Sequence, residues 1–201
     1  MCGRYTLFQN QEDADTRFLH ARLRQRFPED TLPAGDIFPG SMAPVYLPHQ
    51  GKARLAFARW GFPNPYRKGL IINARAETAG EKKLFRASLH SMRCAVPCNS
   101  FYEWSAQKEP YSYTLPQIPL FYLAGLFTHA EDGLRFLVLT VPANSSVALV
   151  HGRMPLLLQK GNVRSWLFHA QRALELMGRP MPPLQGRPLC ASETEAAPEK
   201  E

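Results

Sequence analysis

The sequence lacks the features that mark membrane and secreted proteins. No apolar run approaches the roughly 18 residues that a transmembrane helix needs, and the opening residues, MCGRYT, lack the charged and then apolar layout of a signal peptide. Internal repeats and long linkers are also absent. The 201-residue chain, 45% of it apolar, is therefore predicted to form one soluble domain over 1–189, without membrane contact, in the cytosol or nucleus.

Cysteine is scarce, which excludes a disulfide framework. The chain has 4 cysteines, Cys2, Cys94, Cys98 and Cys190, spread over its length without a secretory signal. The spacing of Cys94 and Cys98, in a segment with strand character, suits neither a zinc knuckle nor a redox pair. These two residues are predicted to be buried as small apolar side chains. No Cys and His spacing supports a metal site, and no cofactor is expected.

Positive charge exceeds negative charge, with 24 Lys and Arg against 17 Asp and Glu, a net charge of +7. The last twelve residues, CASETEAAPEKE, hold four Glu and one Lys, so segment 190–201 carries −3 and the rest of the chain carries +10. This acidic segment lacks large apolar side chains and is predicted to be a disordered tail. The basic body favours an anionic partner such as nucleic acid, although many basic proteins bind none.

Short strand-like segments dominate the chain. Apolar residues at three-and-four spacing predict an amphipathic helix over 13–27 that Pro28 ends. Further helices are expected at 81–92, 163–168 and 172–177, and strands at 43–48, 53–62, 70–74, 93–104, 111–115, 120–127 and 135–141. The run 136–141 is apolar on both faces, which predicts a central strand. The predicted fold class is α+β, a β-rich single domain with a barrel-like or packed-sheet core and peripheral helices.

Cys2 follows the initiator Met, and its small size is compatible with removal of Met1. A free Cys2 carries both an α-amine and a thiol, a pair that condenses with an aldehyde through a Schiff base and then closes a five-membered thiazolidine ring. The α-amine has a reference pKa of about 7.7–8.0 against about 10.4 for Lys, so far more of it is neutral and nucleophilic at physiological pH. The same residue suits amide cleavage as an N-terminal nucleophile, and a cysteine at position 2 is by itself weak support for either role.

Three polar motifs are candidate partners of Cys2. Asn73-Ala-Arg-Ala-Glu-Thr78 follows the apolar strand Leu70-Ile-Ile72, where it forms a site at a strand end or a polar turn. Glu103 lies among the aromatic residues of Phe101-Tyr-Glu-Trp104, so desolvation should raise its pKa toward that of a general acid or base, unless it points into water from an edge strand. His151, in His151-Gly-Arg-Met-Pro155, is a proton shuttle or a structural hydrogen-bonding residue.

Arginine and aromatic residues accompany these motifs. Arginine suits bidentate contact with phosphate, and the arginines beside the motifs are Arg4, Arg75, Arg86, Arg93 and Arg153. Trp60 and Phe62 are candidates for stacking on bases, or they belong to the core. Together these residues predict a groove for single-stranded nucleic acid.

The order of the motifs resembles that of one protein family. In chain order, the motifs are Met-Cys-Gly-Arg-Tyr, Trp60-Gly-Phe-Pro, Asn73-Ala-Arg-Ala-Glu-Thr, Arg93-Cys-Ala-Val-Pro, Phe101-Tyr-Glu-Trp and His151-Gly-Arg-Met-Pro. They resemble the motifs of the SRAP family, the SOS-response-associated peptidase-like proteins. The resemblance implies a β-rich domain that binds single-stranded DNA and crosslinks covalently to abasic sites, thereby shielding the lesion. For such a protein we expect a monomer in the bacterial cytoplasm, associated with the nucleoid.

The resemblance also assigns roles to individual residues. Cys2 supplies the aminothiol, and the implied catalytic residues are Cys2, Asn73, Glu103 and His151. The family's DNA-contacting arginines correspond to Arg75 and Arg153, and the motif positions add Arg4 and Trp60 to the expected DNA contacts.

Several questions of function stay open at the level of sequence. Met1 is removed either by Cys2 itself, beside Glu103, or by a methionine aminopeptidase, and peptidase and lyase activities are both compatible with the motifs. One alternative function is an N-terminal-nucleophile peptidase or amidase that acts on separate substrates. Another is a single-stranded DNA binder without catalytic activity.

Overall fold

The computed structural model describes residues 2–8, 13–32 and 35–190, so the predicted disorder of 191–201 lies outside the described residues. The helices are α1 (Ala14–Arg26), α2 (Ala76–Ala79), α3 (Lys83–Ser91), α4 (Lys160–Phe168) and α5 (Ala170–Met177). The strands are β1 (Tyr5–Leu7), β2 (Gly35–Ile37), β3 (Met42–His49), β4 (Lys52–Trp60), β5 (Phe62–Pro63), β6 (Leu70–Ile71), β7 (Asn73–Arg75), β8 (Arg93–Cys98), β9 (Ser100–Trp104), β10 (Pro110–Thr114), β11 (Phe121–Ala130), β12 (Gly133–Pro142), β13 (Arg153–Pro155), β14 (Leu157–Leu158) and β15 (Gln185–Pro188).

Five strands close into a barrel. The pairing runs β12–β4–β3–β8–β11 and returns from β11 to β12, which completes the ring. The β12–β4 contact is parallel, and the other contacts in the ring are antiparallel. Closure satisfies the backbone groups that an open sheet would expose at its edges. The predicted α+β class with a barrel-like core is confirmed.

β12 is the central strand that the sequence predicts. All six residues from Phe136 to Val141 are buried, and the strand also pairs with β7 and β13 outside the ring. Its two apolar faces follow from this position, because one face lines the barrel and the other packs beneath the surrounding elements. β7 reaches β12 with Asn73 opposite Val138 and Arg75 opposite Thr140.

A second sheet, in the order β15–β10–β9–β1–β2, lies beside the barrel. Its existence corrects the prediction of one strand over 93–104, because β8 belongs to the barrel whereas β9 belongs to this sheet. Asn99 lies at the break. Its Oδ1 accepts from the Phe8 backbone N–H at 2.8 Å, and its Nδ2 donates to the Pro119 carbonyl at 2.7 Å. These side-chain bonds replace ladder bonds where the chain changes sheet.

Two other predicted strands are also divided. Segment 53–62 breaks at Gly61, whose φ of +116° favours glycine, and segment 70–74 breaks at Ile72 between β6 and β7. The remaining predicted helices and strands are confirmed, with ends shifted by a few residues. α1 begins after Asp13, whose side chain accepts from the Thr16 N–H at 2.8 Å.

Arg93 fastens two helices to the barrel. Its Nη1 donates to the Leu89 carbonyl at 2.7 Å, at the end of α3, and its Nε donates to the Trp166 carbonyl at 2.6 Å, near the end of α4. The side chain is therefore a buried cap for helix carbonyls and not a phosphate contact. In the part of the chain that the structure describes, no helix has the length and apolar character to cross a membrane.

Candidate functional site

The site lies where the start of β1, the start of β7, the middle of β9 and the loop before β13 meet. Asn73 Nδ2 donates to the Cys2 carbonyl at 2.8 Å. β9 runs antiparallel to β1, with Tyr5 opposite Phe101, and His151 Nδ1 lies 3.6 Å from Glu103 Oε2. The structure thus brings together Cys2, Asn73, Glu103 and His151, four residues that are up to 149 positions apart in the sequence.

The Cys2 thiol is removed from water. The residue is fully buried, and its Sγ donates to the Arg4 carbonyl at 3.5 Å. Burial raises the pKa of this thiol far above its usual value, and the negative charge of Glu103 raises it further. The Cys2 sulfur is therefore a neutral thiol at physiological pH in this arrangement.

Glu103 is a buried carboxyl group. Its side chain points into the site and not into water, so the alternative of an edge-strand glutamate is wrong. Desolvation raises its pKa, and the neighbouring His151 opposes part of that rise. The predicted rise is confirmed, and it brings the carboxyl toward the range in which it can both give and take a proton.

His151 connects this buried carboxyl with the surface. Its side chain is 28% exposed, and Nδ1 also lies 3.1 Å from the Arg153 backbone nitrogen and 2.9 Å from the Arg153 carbonyl oxygen. These contacts hold the imidazole in the turn before β13. A group that touches both Glu103 and the surface is placed to pass protons between the site and solvent.

Arg153 and Arg75 have different surroundings. Arg153 makes a bidentate ion pair with Glu77 at 2.5 and 2.9 Å, and its Nη2 donates to the Thr140 carbonyl at 2.6 Å. This hydrogen bonding lowers the pKa of Glu77. Arg75 is exposed. The ion pair between Arg153 and Glu77 therefore joins the motif that begins at His151 to the motif that begins at Asn73. The side chain of Arg75, in contrast, is exposed to solvent.

Arg4 and Trp60 are buried, so neither residue lies at a surface that DNA could contact. Arg4 is 4% exposed, forms an ion pair with Asp36 of β2, and lies 4.3 Å from the centroid of the Tyr102 ring. Trp60 is 0% exposed, and its Nε1 donates to the Ile72 carbonyl at 3.0 Å. The expectation that these residues contact DNA is corrected, because the ion pair with Asp36 neutralises one and the core encloses the other. Both lie beneath the site and support its strands.

A neighbouring cavity contains residues that sequence reasoning missed. It has a volume of about 530 Å³ and adjoins Asn73 and Arg75. Tyr66, which is 87% exposed, forms one wall, and Lys82 and Lys83 form another. The available signal was a tyrosine within a polar loop, followed by Arg67 and Lys68. An exposed aromatic ring beside cations is suited to stacking on a base.

Comparison with known proteins places this chain in a family. A family model described as SOS response associated peptidase (SRAP) matches residues 1–191. Abasic site processing protein YoqW of Bacillus subtilis (strain 168) is 34% identical over 182 residues, which cover 83% of this chain and 80% of that protein. Abasic site processing protein YedK of Escherichia coli (strain K12) is 27% identical over 177 residues, which cover 83% of this chain and 79% of that protein.

A solved structure shares the fold. A protein from Bacteroides thetaiotaomicron superposes with a TM-score of 0.78 over 98% of this chain and 95% of that chain, at 19% sequence identity. With a family model that matches nearly the whole sequence, and relatives that are similar over most of their own length, the chain belongs to the SOS response associated peptidase (SRAP) family.

Proposed function

We propose that this protein binds single-stranded DNA as a monomer and captures abasic sites covalently through Cys2 after Met1 is removed. The proposal is carried by one observation: Cys2 is held in the site, where its carbonyl accepts a hydrogen bond from Asn73 and its thiol lies beside Glu103. The names of relatives, which are abasic site processing proteins, support the choice of substrate. The covalent product is a thiazolidine that shields the lesion.

The reaction joins one aldehyde to one aminothiol. The open form of an abasic deoxyribose carries an aldehyde at C1, and the Cys2 amine adds to that carbon. Loss of the aldehyde oxygen as water gives a Schiff base. The Cys2 sulfur then adds to the same carbon and closes the ring, the thiol proton passes to Glu103, and the nitrogen of the protonated Schiff base keeps its own proton. Ring closure makes the product resistant to the hydrolysis that reverses a simple Schiff base.

The buried environment favours this order of events. Because burial raises the pKa of the Cys2 thiol, the sulfur stays protonated while the amine attacks. Glu103, whose pKa is also raised, donates a proton to the departing oxygen and later accepts the thiol proton. His151 exchanges protons between Glu103 and solvent. Holding the amine beside the aldehyde supplies roughly 7–11 kcal/mol of effective-molarity advantage in favourable cases.

The DNA strand follows the exposed cations next to the site. Arg75 contacts a phosphate, and the cavity with Tyr66, Lys82 and Lys83 holds the neighbouring nucleotide by stacking and charge. Arg153, already paired with Glu77, orients its loop and the phosphate beside it. An abasic nucleotide has no base to unstack, so its entry costs less than the flipping of an intact nucleotide.

A crosslinking assay tests this function. The protein is incubated with a single-stranded oligonucleotide that contains one abasic site, and adducts are separated on a denaturing gel. The wild-type protein and a Cys98→Ala control, which removes another buried cysteine, should form a stable adduct, whereas Cys2→Ala should not. Glu103→Gln and His151→Ala should form it more slowly while binding DNA with similar affinity. An equally stable adduct of the Cys2→Ala variant would exclude the thiazolidine.

Self-removal of Met1 is a second candidate activity. It is favoured by the charge of Glu103 acting directly on the Cys2 thiol, since a carboxylate can take the proton of an attacking sulfur. Attack on the Met1 carbonyl, followed by hydrolysis, releases methionine and frees the amine. Synthesis in a cell-free system without methionine aminopeptidase should yield a protein that lacks Met1, and Glu103→Gln should retain it. Retention of Met1 by both proteins would assign the step to an aminopeptidase.

A further inference from the structure

A second cationic cavity lies away from Cys2. It occupies about 470 Å³ between helix α1 and the tip of the β3–β4 hairpin. Arg22 and Arg26 approach it from the helix, and Lys52 and Arg54 approach it from β4. We call it the hairpin cavity. Cations from two separate elements therefore converge on one concave surface.

Carboxylates do not balance these charges. Within 2–8, 13–32 and 35–190, the ion pairs of the structure lie elsewhere, and none includes a side chain of the hairpin cavity. Arg26 is held instead by a backbone oxygen, since its Nε donates to the Leu55 carbonyl at 3.1 Å. Arg164 extends the cluster, because its Nη1 donates to the Gly51 carbonyl at 3.2 Å at the hairpin tip.

This arrangement costs stability when no anion is present. Arg22 and Arg26 are one helical turn apart on the same face, and like charges at that spacing repel each other. Lys52 and Arg54 are two residues apart in β4, so they lie on the same face of the strand and add to the repulsion. A concave site with several unbalanced guanidinium groups matches the geometry and charge of phosphate, which arginine binds through two parallel hydrogen bonds.

Tyr46 adds a hydrogen-bond donor to the same cavity. Its half-buried ring forms part of the wall. Burial raises the pKa of its hydroxyl, and Arg22 opposes part of that rise. The hydroxyl therefore stays protonated and can donate to a phosphate oxygen at physiological pH.

The hairpin cavity is far from the site around Cys2. The eight steps along β4 from Lys52 to Trp60 correspond to about 26 Å at roughly 3.3 Å per residue. The Trp60 end is the one that lies beside Ile72 and Asn73. At the B-DNA spacing of about 3.4 Å per phosphate, a strand would cover this distance in roughly eight nucleotides at most, and an extended single strand, whose phosphates are farther apart, would cover it in fewer.

We propose that the hairpin cavity is a second phosphate-binding site that holds the DNA backbone several nucleotides away from the abasic site. This inference rests on the proposed function, because the phosphate in the hairpin cavity belongs to the same DNA strand that carries the abasic site. The site gives the protein an anchor on intact DNA that does not depend on the lesion. Its role is to keep the protein on the strand while Cys2 reacts.

The test uses lesion-free DNA and the Cys2→Ala background, so that crosslinking plays no part. The Arg22→Gln/Arg54→Gln variant removes two charges from the cavity. The Arg24→Gln/Arg179→Gln control also removes two charges, one from the same helix, where Arg24 contacts the Asp30 carbonyl. Affinities for an intact 30-nucleotide strand and an intact 4-nucleotide strand, which is too short to reach from the hairpin cavity to the site around Cys2, are measured by fluorescence anisotropy over a range of salt concentrations.

The cavity variant should bind the long strand about tenfold more weakly at low salt, with a salt slope smaller by about 1.4 for two lost phosphate contacts on a single strand. It should bind the short strand as the control does, and its melting temperature should be equal or higher because repulsion is relieved. Unchanged affinity for the long strand, or an equal loss in the control or with the short strand, would overturn the second site. Failure of the wild-type protein to form the abasic adduct, with cavity-dependent binding of intact DNA retained, would contradict the proposed function alone.

Discussion

At the scale of the residue, Glu103 and Glu77 show how position decides what a carboxyl group does. Burial raises the pKa of Glu103, whereas the bidentate hydrogen bonds of Arg153 lower the pKa of Glu77. The first group can give and take protons at the site. The second remains a charged partner that holds two loops together. Both residues have the same side chain, and only the surroundings differ.

These opposite shifts predict opposite effects of pH on stability. A group with a raised pKa stabilises the fold fully below its unfolded pKa, and that contribution is lost as pH rises through the folded pKa. Glu103→Gln should therefore gain stability relative to wild type as pH rises above the unfolded value of 4.5 and through the raised folded pKa. Melting temperatures measured across this range check the prediction.

Glu77→Gln is the matched control. Its lowered pKa means that the wild-type carboxylate stabilises the fold above its unfolded value of 4.5, and that this contribution is lost as pH falls through the folded pKa. The disadvantage of Glu77→Gln should thus shrink in acid. A parallel pH profile for the two variants would contradict the assigned surroundings.

Sequence alone predicts the site residues unevenly. Cys2, Asn73, Glu103 and His151 are separate candidates when each is considered alone, and the resemblance of their motifs to those of the SRAP family is what groups them. Arg4 has the same chemistry as Arg75, and only the approach of Asp36, 32 residues away, makes it a buried partner. Tyr66 was missed because exposure of a single aromatic ring depends on how its loop leaves the barrel.

At the scale of the element, Arg93 links β8 to the ends of two helices. Its guanidinium donates to the backbone carbonyls of Leu89, His90, Trp166 and Leu167. Lysine keeps the charge, but its single ammonium group cannot reach all four oxygens, since it lacks the fixed fork of donors of the planar guanidinium. Three of these hydrogen bonds are buried, so a carbonyl that loses its donor becomes an unsatisfied buried polar group.

Arg93→Lys should lower the free energy of unfolding by about 2–4 kcal/mol, as measured by urea denaturation. Arg86→Lys is the control, because Arg86 is an exposed residue of α3. It should change stability by less than about 0.5 kcal/mol. Equal small effects of both substitutions would show that Arg93 does not fasten the helices.

Gly125 marks a close approach inside the barrel. A Cβ atom at this position would lie 2.7 Å from Cys94 Sγ and 2.8 Å from the Leu137 carbonyl oxygen. Gly125→Ala should therefore destabilise the protein by about 1–3 kcal/mol through overpacking. Gly152→Ala meets no atom within 4 Å and should leave the unfolding midpoint nearly unchanged. Calorimetry of both variants distinguishes crowding from a general intolerance of glycine replacement.

Sequence patterns predict the positions of most strands but not which sheet each strand joins. Alternation and apolar runs predict most strands, because burial on one or both faces produces a regular pattern of apolar residues along the sequence. They do not predict that β8 and β9 join different sheets, since the break depends on Asn99 bonding to segments that are distant in sequence. Short strands such as β2 and β15 have little apolar pattern, and they form because they pair with neighbouring strands.

At the scale of the whole molecule, the barrel separates two basic regions. Arg75, Lys82 and Lys83 lie at the end that holds Cys2, and the hairpin cavity lies at the other end of β4. The excess positive charge of the sequence thus has two locations, which charge counting could not have predicted. In our account, one region presents the lesion to the reactive cysteine and the other retains the strand.

Intact mass spectrometry can detect the ring that we propose Cys2 forms with the abasic aldehyde. After incubation with an abasic oligonucleotide and denaturation, without any reducing agent, we expect a species equal to the Met1-free protein plus the oligonucleotide minus one water. Capping the aldehyde with methoxyamine should abolish this species. Its absence with wild-type protein, or its survival in Cys2→Ala, would contradict the account.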